Sequence, residues 1–236
     1  MDRGFGFLRS MENNFSPGTD DTFVPEHLIT SLHLPEGGYI VGKGKKQESE
    51  GATALLQSVE TINQIAPDIF SRFKPLQDQT SINPTEQLIM TQADNDFIGK
   101  TLDMITPIGK GQRGLIISPP KSGKTTILKH MAASIIANHP DVDVFVLLVD
   151  ERPEEVTDFT RGLKGAHVIY SSADQSIDTH MRMTRLALHT AINCAQTGRD
   201  SVVMIDSLTR MSRAFNVNTN SHGRTMTGGL GAGALA

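Results

Sequence analysis

The sequence predicts an α/β protein: a small all-β module over residues 1–65, then from Phe97 onward a domain built on a mainly parallel sheet. Three observations carry this. In the first part short apolar stretches are separated by Gly, Pro and Asp turns, the pattern of a small barrel or sandwich. In the second part apolar runs alternate with longer amphipathic segments, the mark of repeated strand–helix units. The run Val144–Val149 is apolar without interruption, as in a parallel strand covered on both faces.

The first module is expected to hold strands at Gly4–Arg9, Thr22–Val24, Tyr39–Val41 and Leu55–Ile62, parted by turns at Ser16–Asp21 and Pro35–Gly38. The mixed-charge run Lys45–Glu50 reads as a solvated loop, and Ala66–Asp96, with Pro67, Pro75 and Pro84, as a connector. The domain from residue 97 to 236 then follows, with a strand at Leu115–Ile117 and a helix at Thr125–Ala137. After Val144–Val149, Pro153 suits the first turn of a helix reaching about Leu163. A strand at His167–Tyr170, a helix over Ile177–Gln196 and a strand at Val202–Ile205 complete the alternation.

Composition bounds the function. The chain has 236 residues, 38% of them hydrophobic and 20% charged, which places it with ordinary globular proteins rather than disordered ones. Lys and Arg number 22 against 26 Asp and Glu, so a polyanion must be held by local patches and not by the global field. The one cysteine, Cys194, falls in a helical pattern with Leu188, Ala191, Ile192 and Ala195 and is expected as a buried small hydrophobe, consistent with a reducing cytosol. No apolar run of about 18 residues could cross a bilayer, and Met1–Ser10 lacks the order of a secretory signal, so a cytoplasmic protein without a membrane is expected.

The stretch Leu115–Thr126, LIISPPKSGKTT, carries the chemistry. An apolar run breaks at Ser118-Pro119-Pro120 and restarts as a helix after Gly123-Lys124-Thr125, the layout of a phosphate-binding loop. Lys121, Ser122, Gly123 and Thr126 complete the loop; Lys124 brings positive charge to the outer phosphates, and the Thr125 hydroxyl suits Mg²⁺. Ser118 stands where the usual pattern has Gly, and a Lys/Ser-rich surface turn is the alternative. Open parallel sheets bind ligands beyond the carboxyl ends of their strands. Two further strand ends carry acids: Asp150-Glu151-Arg152 and Asp206-Ser207. Asp206 is placed to hold the Mg²⁺ side, Glu151 to polarise an attacking water, and Asp150 to cap the following turn. Each acid taken singly has a simpler reading as a helix N-cap. Arg152, Lys121, Arg210 and Arg213 are further phosphate-facing candidates, though each taken alone reads first as a surface cation, and His167, His180 and His189 lack partners at metal-ligand spacing.

In the first module Phe5 and Phe7 stand two apart on a strand and therefore on one face. Either bases stack on them, with Arg9, Lys43, Lys45 and Lys46 touching phosphates, or both rings are the core face of the barrel.

Taken in order, PIGKGQRGLIISPPKSGKTT, VLLVDERPEEVTDF, VVMIDSLTRMSRAFN and GRTMTGGLGAGAL resemble the bacterial transcription termination factor Rho family, and GFGFLRS and DDTFV resemble its cold-shock-like RNA-binding domain. The resemblance implies an OB/cold-shock-like barrel followed by a RecA-like P-loop ATPase core, assembled as a homohexamer that uses ATP and Mg²⁺ to pull single-stranded nascent RNA from RNA polymerase. By motif it assigns Lys121, Lys124 and Thr125 to the phosphate loop, Glu151 and its neighbour Arg152 to catalysis, and Asp206 to the metal side. It assigns Phe5, Phe7, Arg9 and Phe23 to the primary RNA surface, and Arg224, Thr225, Gly228 and Gly229 to a pore loop for RNA, with Arg224 where Lys is common. Against the family pattern both ends look cut: the small barrel begins without its expected first strand, and the chain stops at Ala236 before a second pore loop and an arginine finger given to the neighbouring subunit. A rotary ATP-synthase or export ATPase subunit is the runner-up, and RNA binding alone through the first module a third reading.

Overall fold

In the computed structural model, residues 4–46, 53–119 and 121–218 are described. They fall into two compact units, Met1–Gln79 with Leu186–Arg199, and Thr80–Arg185 with Asp200–Ala236.

The first unit holds strands β1 (Gly6–Leu8) and β2 (Thr22–Val24), helix α1 (Glu26–Leu32), strands β3 (Ile40–Lys45) and β4 (Ala54–Ile62) and helix α2 (Pro67–Phe70). The strands form one sheet of order β1-β2-β4-β3, with β2 and β4 parallel and the outer pairs antiparallel. All four expected strands are present, and α1 is an addition that a reading of strands and turns passed over. Its seven residues follow Pro25, which makes no side-chain cap, and end at His33 in the left-handed conformation. Leu28, Ile29 and Leu32 on one helical face are what hold it, packing on a core of Val24, Leu34, Leu56, Ile62 and Phe70. Buried Asn63 locks the unit from within: it accepts from the Tyr39 N–H (2.7 Å) and donates to the Asn193 carbonyl (3.3 Å), while Asn193 donates to the Glu36 carbonyl (2.8 Å). Cys194 is half-buried, more open than expected. Within Ala66–Asp96 the structure also forms a short 3-10 turn at Leu76–Asp78.

The second unit contains β5 (Gln87–Leu88), α3 (Phe97–Ile105), β6 (Ile108–Gly109), α4 (Lys124–Asn138), β7 (Asp143–Glu151), α5 (Pro153–Gly162), β8 (His167–Ser172), α6 (Ile177–Gln196, of which residues to Arg185 belong here), β9 (Ser201–Asp206) and α7 (Leu208–Asn218). The three long strands are parallel in the order β8-β7-β9. Central β7 is buried on both faces, as its uninterrupted apolar run requires. Val144, Val146 and Leu148 join Ala132 and Ile135 of α4 and Val156 and Phe159 of α5, while Phe145, Leu147 and Val149 fill the other face. Each such side chain contributes about 1.5–3 kcal/mol gross on burial. That makes β7 the rigid axis from whose end the acids project.

One expected strand does not form. Leu115–Ile117 lies in irregular chain, with Leu115 68% and Ile117 86% exposed. A strand needs a neighbour for its backbone N–H and C=O groups, and among the described residues none pairs with this run; intrinsic β preference alone does not suffice.

Candidate functional site

The loop enters α4 through Gly123, the N-cap, at φ 93°. That is left-handed backbone which any side chain would strain, so glycine is required there by conformation. The first-turn amides of α4 have no helical acceptor and point to the helix N-terminus, a natural seat for a phosphate. Lys121, Ser122 and Thr126 are exposed, and the Ser122 hydroxyl donates to the Pro119 carbonyl (2.7 Å), tightening the turn. Pro120 lies outside the described residues.

Two of the expected residues meet a third across the sheet. Lys124 Nζ pairs with Asp206 Oδ1, and Thr125 Oγ1 donates to Asp206 Oδ2 (3.1 Å). Asp206 is buried at the end of β9, with its side chain 3% exposed. An ammonium and a hydroxyl on one buried carboxylate form a hard, oxygen-rich, cation-accepting corner. The donor set fits Mg²⁺, which takes one or two protein oxygens and completes its shell with phosphate and water. Among the described residues no group of three His, Cys, Asp or Glu could hold a metal, so a dedicated all-protein cage is not what this corner offers.

Glu151 ends β7 just past a bulge at Asp150, whose φ is 56°. Asp150 does not cap α5: the N-cap is Arg152, without a side-chain cap bond, and Asp150 lies two residues earlier, at positive φ inside the bulge of β7. Arg210 of α7 donates to the Asp150 carbonyl and lies 3.3 Å from Glu151 Oε2. Glu151 itself is 4% exposed. Burial pushes its carboxyl up to about 7; a hydrogen bond with Glu155 adds to the rise, while the Arg210 charge opposes it. A carboxyl poised there can take a proton from water at neutral pH. Arg152, Lys121 and Arg213 remain exposed cations.

The partnership of Glu151 with Glu155 and Arg210 was not read from the sequence. The first had a signal, since Glu155 lies four residues on, in the first turn of a helix that starts directly after the strand. The second joins elements that only the fold brings together.

On the first unit Phe5 and Phe7 are 38% and 43% exposed and stand outside its core. Phe7 is registered opposite Phe23, and the three rings make a cluster: Phe5 stacks on Phe23 at 5.5 Å, and Phe7 meets Phe5 and Phe23 edge-on at 5.9 and 5.7 Å. Arg9 lies 5.6 Å from the Phe7 ring centre and is oriented by Asp21 at 2.9 Å. Packing therefore favours the surface reading of Phe5 and Phe7 over the core reading. Lys43, Lys45 and Lys46 are exposed, Lys43 within 3.4 Å of Glu60. Arg224, Thr225, Gly228 and Gly229 lie outside the described residues. His167 stacks on Phe145 at 4.9 Å, His180 is buried, and His189 lies 3.5 Å from Glu36. No described helix is long and apolar enough to cross a membrane.

A parallel sheet with a loop–helix phosphate seat and acids at two neighbouring strand ends is the core of a P-loop ATPase. The chain belongs to the ATP synthase alpha/beta family, whose nucleotide-binding domain matches residues 99–227, and residues 1–68 match the RNA-binding domain of the Rho termination factor. Rho factors are among its curated relatives: the transcription termination factor Rho of Haemophilus influenzae is 40% identical over 98% of this chain and 56% of its own length. Those of Chromobacterium violaceum and Aquifex aeolicus are 37% and 38% identical, over 98% of this chain and 56% and 53% of theirs. The chain thus spans about half the length of the curated relatives it matches. Among solved structures, an ATPase from the type III secretion system of pathogenic bacteria aligns with TM-score 0.55 at 18% identity, over 80% of this chain and 50% of that one. An ATP synthase subunit from Nanoarcheaum equitans aligns with TM-score 0.53 at 20% identity, over 64% and 38%. These two share the fold.

Proposed function

We propose that the chain is the RNA-binding and nucleotide-binding part of a transcription termination factor, an ATP-dependent RNA–DNA helicase or translocase that draws nascent single-stranded RNA away from RNA polymerase. The observation that carries this reading is the meeting of Lys124 and Thr125 on buried Asp206 beside the raised carboxyl of Glu151. The match of residues 1–68 to an RNA-binding domain adds the second substrate. It also favours an RNA motor over a rotary or export ATPase.

In this reading residues 119–126 cradle the phosphates, with Lys121 and Lys124 balancing their charge. Thr125 and Asp206 would hold Mg²⁺, which when bound would neutralise charge on the phosphate oxygens. Lys124, freed from Asp206 by the incoming phosphates, turns to the nucleotide. Glu151 takes a proton from the attacking water at its Oε2, and Arg210 holds that oxygen in place. Arg152 faces the outer phosphate. Phe5, Phe7 and Phe23 stack bases, and Arg9 reaches the backbone; Arg224, Thr225, Gly228 and Gly229 line a pore in a cytoplasmic homohexamer. Residues 1–65 act as the RNA domain, 66–96 as connector and 97–236 as motor domain.

The test is steady-state phosphate release with and without a pyrimidine-rich RNA. Stimulation by RNA that is lost in Phe5→Ala supports the reading. Hydrolysis indifferent to RNA, in a chain that binds ATP, favours the rotary or export ATPase class.

A further inference from the structure

One face of α4, flanking its apolar contacts, is gripped along its length by the segment that precedes α3. His130, Ser134 and Asn138 recur at i, i+4 and i+8 and so share one helical face. Gln92 donates to Ser134 Oγ (2.9 Å), and Asn138 Nδ2 donates to the carbonyls of Ile89 (2.9 Å) and Thr91 (3.0 Å). The next residue, His139, accepts the Ile89 N–H at Nε2 (2.8 Å). At the end nearer the phosphate loop, His130 Nε2 lies 3.1 Å from Asp96 Oδ2, a close imidazole–carboxylate contact rather than a well-aligned hydrogen bond.

This strap is itself anchored. Asp103 of α3 accepts the backbone N–H groups of Met90 and Thr91 (2.9 Å each) and the Thr91 hydroxyl (2.6 Å). Asp96 caps α3 through the Gly99 N–H (2.9 Å) and also takes the Gln92 N–H (2.9 Å). The fit is close: a Cβ on Gly99 would come within 2.5 Å of the Met90 carbonyl oxygen. Burial opposes ionisation of Asp96, but the amides of Gly99 and Gln92 and the nearby His130 hold its carboxyl below the usual range, so it stays an acceptor.

The apolar face of α4, with Ala132 and Ile135 on β7, supplies adhesion without direction, and it resists small shifts along and about the helix axis less sharply than directed bonds do. Directional polar ties restrict those shifts. Along the axis Lys124 sits about 9 Å and Thr125 about 7.5 Å from His130, so an axial shift at His130 carries both with it relative to Asp206.

We propose that the strap formed by residues 87–96 sets the axial register of α4, and that Asp96, acting through His130, is a positioning residue for Lys124 and Thr125 in nucleotide binding. The inference rests on the reading of residues 118–126 as a phosphate loop. Asp96 touches neither phosphate nor metal; it acts by keeping the loop helix where its first turn meets Asp206.

The test uses the chain with Asp96→Asn, which retains a capping side chain, His130→Gln, which removes no cap, and the double variant. Each is titrated with a fluorescent ATP analogue in Mg²⁺ and unfolded with urea. The expected result is a loss of affinity of about tenfold in each single variant, the scale on which residues that touch no ligand modulate a site through a packed network. The double variant loses no more than the singles, because the two residues form one tie. A purely structural role lowers the unfolding midpoints and leaves the affinity of the folded protein unchanged, and that result overturns the proposal, as do fully additive losses. Should Asp96→Asn fail to fold, His130→Gln decides alone. Lys124→Ala is the control: if it binds like wild type, the phosphate-loop reading fails and this inference with it, whereas its failure to bind beside unaffected strap variants refutes the strap alone.

Discussion

Replacing Glu151 by Gln keeps its size and removes its charge, and the buried position of the carboxyl fixes the sign of the stability change. The folded-state carboxyl titrates at about 7 against an ordinary value of 4.5, chiefly through burial. Between those two values the folded chain holds a proton that the unfolded chain has released. Stability from this group is therefore fully present below pH 4.5 and falls as pH rises through 7. At about 1.4 kcal/mol per pH unit the gap amounts to about 3 kcal/mol, an upper figure because Arg210 remains partly solvated. Gln does not titrate, so Glu151→Gln should be more stable than wild type at pH 8.5 by up to about 3 kcal/mol, with the difference vanishing near pH 4.5. Urea midpoints followed by circular dichroism across this range measure it directly. The same variant should hydrolyse ATP about 10²–10⁴-fold more slowly while still binding it, the usual cost of losing a general base. Parallel stability curves for wild type and variant would refute the buried, raised carboxyl. Undiminished hydrolysis would refute its role as base.

The same geometry sets three further outcomes. Lys124→Ala should abolish binding of a fluorescent ATP analogue, since loop amides alone leave most of the triphosphate charge unbalanced; equal affinities would remove the loop assignment. Asp206→Asn should weaken the Mg²⁺ dependence of nucleotide binding, read by titrating Mg²⁺ at fixed nucleotide, and should leave RNA affinity unchanged. Phe5→Ala and Phe7→Ala should each weaken single-stranded RNA binding by about 1–3 kcal/mol per stacked base, with ATP affinity untouched. If folded variants keep their RNA affinity, the ring cluster is structural.

Where a residue's environment is set by its neighbours in sequence, the chain was readable. The uninterrupted run of β7, Pro153 at the start of α5 and the long periodic pattern of α6 all appear as expected. The phosphate turn and the two acid-bearing strand ends are local patterns, and the parallel sheet brings Thr125 and Asp206 together. The features that escaped depend on tertiary partners. Helix α1 has no Ser, Thr, Asp or Asn cap and is held by its apolar face on a core assembled from distant strands. Leu115–Ile117 has strand composition without a ladder partner among the described residues. Alternation placed Phe5 and Phe7 on one face, but whether that face is core or surface was decided by Val24, Leu56 and Ile62 filling the interior. The pairing of Arg210 with Glu151 joins α7 to the end of β7, which no local spacing encodes.

Separate sites for nucleotide and RNA are tested most directly by calorimetric titration of one protein with MgATP and, independently, with a pyrimidine-rich RNA, in wild type, Lys124→Ala and the paired Phe5→Ala/Phe7→Ala variant. Two independent sites predict a crossed result: Lys124→Ala loses ATP and keeps RNA, and the paired phenylalanine variant loses RNA and keeps ATP. ATP binding that survives Lys124→Ala, or RNA binding that survives the loss of both rings in a folded chain, would contradict the two-site assignment.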